Sequence, residues 1–326
     1  MTNPYDIEEI FPDDDAGSVR LPRRQAGNST QDLAVTLLAD YTLRNRAWLP
    51  SAAIVALLGE TGVSDAAART AISRLARRGV LGGSRQGRRS SYRLTPAAAT
   101  FLAVGGRSIV STADDDIEPW DERWTLIAFS LPQEESVQRR GLRTQLRWMG
   151  FAPLFDGLWV SPRDLTEKAI GQLGRFAPVT MTVFRARHVD VATGLGRAPL
   201  HAWNIAAIAR AYESFVQQWK ALPPRIDTGQ IAGAEAVQVR TDVMNTYRRL
   251  PILDPQLPLE LLPPGWLRTP ARNLFTAIYD GLATTAATHV RAIAARFTDA
   301  SLPGIQAHTV ADLAAGLAAQ AERDVG

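Results

Sequence analysis

The stretch Ser64–Arg78, SDAAARTAISRLARR, presents two faces when wound as a helix. Ala68, Ala71, Ile72 and Leu75 fall within about 100° of arc and form an apolar stripe fit for a core. Ala66, Arg69, Thr70, Ser73 and Arg77 fall on the opposite arc, with Arg74 at its edge. A helix that enters the major groove needs small residues where backbone meets base edges, and Arg for guanine edges and phosphates. A surface helix with a solvated basic face has the same pattern, so the flanking sequence must decide between the two.

Upstream, Gln31–Tyr41 places Ala34, Leu37, Leu38 and Tyr41 at i, i+3, i+4 and i+7, the spacing of an amphipathic helix. Pro50 and Ser51 open a second helix with Ile54, Leu57 and Leu58 inward, and Ser51 is its expected N-cap. Glu60-Thr61-Gly62-Val63-Ser64 is a short turn, and Ser64 caps the helix that follows. Two helices across such a turn are the DNA-reading unit. Downstream, Gly79 ends the third helix. Val80–Ser84 and Ser90–Leu94 then flank Arg85-Gln86-Gly87-Arg88-Arg89, and apolar–polar alternation about a Gly predicts a hairpin. A basic hairpin after a helix-turn-helix is a wing whose tip lies along phosphates or in the minor groove. Arg69, Thr70 and Ser73 are the expected base contacts; Arg74, Arg77, Arg85, Arg88, Arg89 and Tyr92 are expected on the backbone or minor groove. A phosphate-binding loop over Gly82–Arg88 is excluded. Arg88 stands where Lys is needed, Arg89 where a Mg²⁺-binding hydroxyl belongs, and a strand follows instead of a helix.

Charge agrees with this placement. The whole chain of 326 residues carries only +3. Residues 1–28 hold three Arg and six acids, residues 29–95 ten Arg and four acids, and the remainder balances. The positive charge therefore sits on the segment expected to meet a polyanion. The acidic, Pro-broken stretch 1–28 is expected to be a disordered tail, with Asp13-Asp14-Asp15 a solvated run. There is no Cys, which excludes disulfides and thiolate metal sites. The N-terminus lacks the apolar core of a secretory signal, and no run approaches a membrane span, so a cytoplasmic protein is expected. His188, His201, His289 and His308 lack metal-ligand spacing, no GxSxG elbow occurs, and no metal or cofactor is expected.

Beyond Pro96–Ala103, which extends the first module, Thr112–Arg123 is a linker or an opening loop. Trp124–Phe129 is predicted as a strand, Glu134–Met149 as a helix, Phe151–Phe155 and Leu158–Ser161 as a hairpin around Asp156-Gly157. Leu165–Leu173 is predicted as a helix and Val179–Ala186 as a strand. The order βαββαβ is the ferredoxin-like split motif. Arg139, Arg143 and Arg147 recur at i, i+4 and i+8, with Arg140 adjacent. This stripe suits the phosphates of a CoA-type ligand, DNA, or acids of a partner subunit; a solvated face with local ion pairs is the competing reading. Trp148 and Trp159 either line a pocket or fill a core. Gly194-Leu195-Gly196 is read as a loop, since a dinucleotide fingerprint needs a third Gly and a capped helix.

From Leu200 the chain is mostly helical. Ile205, Ile208, Tyr212, Phe215 and Trp219 share one face, Pro223-Pro224 ends that helix, and a second spans Ala232–Leu250. The Pro-rich run Arg248–Trp266 is expected to be irregular. Helices over Ala271–Phe297 and Val310–Arg323 follow, with Leu313 and Leu317 fit for dimer or intramolecular packing.

Three strings carry a family resemblance. ARTAISRL (Ala68–Leu75) with GRRSSYRLT (Gly87–Thr95), RTQLRWMGFAPLFDGLWVSP (Arg143–Pro162), and the run from Tyr247 to Trp266 resemble the phenylacetic-acid degradation repressor (PaaX) family. Ala152 stands where that family often has Gly, and Leu250 where it has Phe. The resemblance implies an α+β, multidomain fold: a disordered tail (1–28), a winged helix-turn-helix (29–105), a central ferredoxin-like domain (106–198) and a mainly helical C-terminal domain (199–326). It implies a homodimeric repressor on a double-stranded DNA operator with an inverted repeat, released by a CoA thioester effector such as phenylacetyl-CoA or a related acyl-CoA, with no membrane partner. Arg139, Arg143, Arg147 and Trp159 are the candidate ligand residues. The family's central domain is similar to small CRISPR-associated nucleases, which need an Asp at the end of the first strand. Trp124–Leu131 contains no acid, which argues against that chemistry. The alternatives are a nucleic-acid enzyme on the central domain and a winged-helix module for protein assembly.

Overall fold

The computed structural model describes residues 29–111, 119–130, 141–143, 145–147, 149–173, 180–190, 197–254, 256–298, 302 and 304–316. The acidic tail, Arg139, Arg140, Trp148, the Gly194–Gly196 loop and Leu317 lie outside the described residues.

Helix α1 (Thr30–Thr42) starts at Ser29, whose hydroxyl oxygen accepts from the Asp32 amide at 3.1 Å. Its apolar residues Ala34, Leu37, Leu38 and Tyr41 are buried. Strand β1 (Leu49–Pro50) leads straight into α2 (Ser51–Glu60). The expected cap moves by one residue: Pro50 is the N-cap and no side chain bonds there, because Ser51 is already helical. Gly62, at φ 82°, turns the chain into α3 (Asp65–Arg77). Strands β2 (Leu81–Gln86) and β3 (Arg89–Leu94) pair antiparallel with Gln86 opposite Arg89. The expected five-residue loop is therefore a two-residue turn, Gly87-Arg88, made possible by Gly87 at φ 61°. β1 adds to the other edge of β3, giving the order β1-β3-β2. Helix α4 runs Pro96–Ser111, well past the expected Ala103.

The central segment opens with β4 (Arg123–Ser130), followed by helical residues at 141–143 and 145–147. Then come β5 (Ala152–Phe155), β6 (Leu158–Ser161), α5 (Thr166–Leu173) and β7 (Thr180–Arg187). The sheet has the order β5-β6-β4-β7 and is antiparallel throughout. One face buries Ile127 and Trp159 under Leu142, Leu146, Ala169 and Leu173. The other buries Trp124, Leu154 and Val160 beneath Leu200 and Trp203.

The C-terminal segment holds α6 (Ile205–Trp219), α7 (Leu222–Asp227), α8 (Gly233–Tyr247), α9 (Leu250–Leu253), α10 (Arg268–Gly281), α11 (Ala283–Ala295) and α12 (Val310–Ala315). Three expectations change here. Pro223-Pro224 does not end α6; the pair sits in the first turn of α7, where a missing N–H costs nothing. The single helix expected over Ala271–Phe297 is two, broken after Gly281, where an added Cβ would stand 3.0 Å from Ile226. The Pro-rich run still forms short turns, α9 and a 3₁₀ turn at Leu259–Leu261.

One hydrophobic core runs through the first and last segments. Ala34, Leu38, Ile54, Leu58 and Leu94 belong to the same buried cluster as Phe215, Val243, Phe275, Val290 and Leu313. α8 and α11 pack on α1 and α2, and α12 packs on α4. Leu313 thus takes the intramolecular role. Polar ties cross the same seam. Tyr279 donates its hydroxyl to Asp40 at 2.7 Å, Thr36 donates to Asn245 at 3.3 Å, and His289 Nε2 lies 3.0 Å from both Glu60 oxygens. The fully buried Arg240 donates to the carbonyls of Tyr279 and His308. Its guanidinium carbon stands 3.5 Å from the Tyr279 ring centroid. Among the described residues no helix is long and apolar enough to cross a membrane.

Candidate nucleic-acid interface

Helix α3 stands at the surface because only one of its faces is apolar. Ala68, Ala71, Ile72 and Leu75 are buried, and α3 packs chiefly on α1, α2 and β2. Ala66, Arg69, Thr70, Ser73, Arg74 and Arg77 are exposed on the far side. The Ser64 hydroxyl oxygen accepts from the Ala67 amide at 3.3 Å and fixes where the first turn begins. Asp65 sits 3.8 Å from Arg69 one turn later, an exposed pair that a stronger anion can displace. Thr70 donates its hydroxyl to the Ala66 carbonyl at 2.8 Å, so it faces outward as a methyl and an acceptor.

The hairpin adds a second basic surface. Arg85 donates from Nε to the Gly87 carbonyl at 3.2 Å and braces the turn. Arg88 and Arg89 are exposed at the tip. Tyr92 stands differently from the other residues in its group. Strand alternation puts it with Leu94 on the core-facing side, where its ring packs against the cluster and would meet a Cβ on Gly83 at 3.2 Å.

A second concavity lies on the central module. Arg143, Arg147, Pro153, Phe155, Asp156 and Arg197 line a cavity of about 430 Å³, with Trp159 at its floor. Arg143 donates to Asp156 at 2.7 Å, and Arg147 lies 5.7 Å from the Trp159 ring centroid. Trp159 itself is buried core. Arg197 was not evident from sequence. It donates to the Leu154 carbonyl at 2.9 Å and reaches the cavity from a loop far along the chain, with no local periodicity to mark it. Arg139 lies outside the described residues.

Residues 29–98 match the family described as PaaX-like protein, residues 117–195 the PaaX protein central Cas2-like domain, and residues 203–292 the PaaX-like protein C-terminal domain. The chain belongs to the PaaX family. The transcriptional repressor PaaX of Escherichia coli (strain K12) is 30% identical over 246 residues, covering 73% of this chain and 75% of the relative. The kinship of this PaaX-family chain is with transcriptional regulators and not with enzymes. In fold it resembles the solved structure of an uncharacterized protein from Mycobacterium tuberculosis. That match has a TM-score of 0.54 at 20% identity, and covers 82% of this chain and 99% of the other.

Proposed function

We propose that this chain is a cytoplasmic, DNA-binding transcriptional repressor of phenylacetate-type aromatic acid catabolism. In this reading α1–α3 and the β2–β3 hairpin are a winged helix-turn-helix, the β4–β7 segment is a ferredoxin-like domain, and the chain divides functionally at about residues 105 and 198. A homodimer binds an inverted-repeat operator. The observation that carries the reading is the outer face of α3: small in its first turn, cationic beyond it, and free of core packing. Arg69, Thr70 and Ser73 meet base edges; Arg74, Arg77, Arg85, Arg88 and Arg89 neutralise phosphates. The Arg143–Arg147–Arg197 cavity takes the phosphates of an aryl- or acyl-CoA effector, phenylacetyl-CoA being the one the family implies. Release follows from linkage: an effector that weakens DNA binding must itself be bound more weakly in the presence of DNA.

The test is fluorescence anisotropy on DNA from the protein's own promoter, at fixed salt, titrated with phenylacetyl-CoA and with acetyl-CoA. Tight binding lost only with the aryl thioester supports the whole reading. Tight binding indifferent to both removes the effector and keeps the repressor. Absence of any sequence preference overturns the reading.

A further inference from the structure

Away from α3 and the hairpin tip, two guanidinium groups are held beside the same end of β3. Arg93, near the base of β3, lies over the Trp48 ring, its guanidinium carbon 4.4 Å from the centroid. Arg46 donates from Nε to the Leu94 carbonyl at 3.3 Å, which fixes its guanidinium beside the same strand. Burial, and then the charge of Arg93, hold the Arg46 guanidinium below its usual range. Like charges at close quarters repel. Among the described residues neither arginine forms an ion pair. Arg46 also sits at φ 45°, in the left-handed region that non-glycine residues rarely occupy. Backbone strain and two like charges, unpaired among the described residues, meet at this corner of the fold.

The surroundings name that ligand's chemistry. Along β3, residues Arg89, Ser91 and Arg93 point to the face away from the core, because Leu94 and Tyr92 point into it. Their register partners on β2 are Gln86, Ser84 and Gly82. This outer face therefore presents guanidiniums, hydroxyls and an amide, with no carboxylate, from hairpin tip to hairpin base. Three strand positions, i to i+4, cover roughly 13 Å. A row of this composition suits a phosphodiester chain, not a peptide or an apolar surface.

We infer that Arg46 and Arg93, propped by Trp48 and the Leu94 carbonyl, form a phosphate-binding clamp at the base of the hairpin that grips the operator backbone beyond the recognition helix and wing tip. The inference rests on the DNA-binding reading above and extends its footprint. The clamp adds affinity and salt dependence but no sequence preference, because phosphates carry no base identity.

The experiment uses the full chain and measures the dependence of operator affinity on salt for wild type, Arg93→Gln, Arg46→Gly and the double variant. Arg46→Gly removes the charge while suiting the positive φ, so folding is preserved. Arg210→Gln, on the exposed face of α6, is the control for a change in overall charge. The expected result is a log–log slope shallower by about 1 for each single variant and about 2 for the double. Binding should fall roughly equally on operator and unrelated DNA, with the control unchanged. A double variant with the wild-type slope overturns the clamp. If wild type shows no salt-dependent DNA binding, the DNA reading itself fails. Phosphorus NMR with pyrophosphate then judges the site. Line broadening by wild type that the double variant loses retains a phosphate site for a free anion; no broadening ends the proposal.

Discussion

Two groups of arginines in this chain put the same side chain to opposite uses. Arg240 and Arg268 lie inside. Arg268 donates from Nε and Nη2 to Asp254 at 2.9 and 2.8 Å, and from Nη2 to the Leu257 carbonyl at 2.8 Å. Arg240 is surrounded by α1, α10 and the segment before α12, with Asp40 as its counter-charge. Arg74, Arg77 and Arg88 lie outside, exposed. The lesson concerns partners: an arginine satisfied by two or three chain segments organises the fold, whereas one left exposed on a basic face is available to a polyanion.

The sharpest way to break this comparison is Arg240→Leu. It strands Asp40 in the core and should lower stability by about 3–5 kcal/mol, read as denaturant midpoint or Tm. Arg77→Gln should leave stability within about 0.5 kcal/mol. Similar losses from the two would dissolve the distinction.

A second prediction uses pH. Burial pushes the Asp40 carboxyl up to about 6, against the pull of Arg240 and the Tyr279 hydroxyl. Burial, then Arg240, pushes the His308 imidazole down to about 4. Asp40 keeps its proton longer when folded, so its contribution to stability falls as pH rises from 3.8 to about 6. His308 resists protonation when folded, so its contribution falls as pH drops from 6.5 to about 4. Each amounts to about 3 kcal/mol and the two oppose each other. Thermal melts of wild type should show little net slope from this pair between pH 4 and 6. Asp40→Asn should expose a loss of stability on acidification, and His308→Phe a gain. Matching slopes in both variants would contradict the assignment.

Smaller effects follow. Gly157→Ala would set a Cβ 2.8 Å from the Phe129 carbonyl oxygen, in the hairpin that shapes the cationic cavity. A destabilisation of about 1–3 kcal/mol is expected. Replacing Arg88 and Arg89 with Gln should move stability least, by under about 0.5 kcal/mol, yet flatten the operator salt slope by about two. An unchanged slope excludes a phosphate role for the tip.

Local pattern carried much of this structure into view. Ala68, Ala71, Ile72 and Leu75 recur at helical spacing, and all four are buried. The Ser64 cap and the strands about Gly87 were equally plain, since a side chain or a φ value decides them within a few residues. The seam was not legible. Nothing near Asp40 in sequence announces Tyr279, and nothing near Thr36 announces Asn245. Apolar periodicity says that a face is buried, not which segment covers it. The packing of Tyr92 was hidden for the same reason: its place among basic residues concealed that alternation turns its ring toward the core. Of the cationic cavity, Arg143 and Arg147 were visible as a helical stripe, while Arg197 arrives from a separate loop. The break after Gly281 had a local sign, a lone Gly, whose meaning depends on Ile226 of α7.

The shared core has a consequence for anyone who wishes to retarget this protein. Residues 29–105 are not a detachable cartridge. A chimera carrying a foreign DNA-reading segment must also import, or rebuild, the surface that meets α8, α10 and α11. Thr36, Asp40 and Glu60 are the transplant's compatibility markers: Thr36 and Glu60 meet Asn245 and His289 across the graft line, and Asp40 meets both Tyr279 and Arg240. The residues proposed to choose the operator lie on a different helix, α3, from these markers on α1 and α2, so the proposed specificity and the compatibility can be exchanged separately.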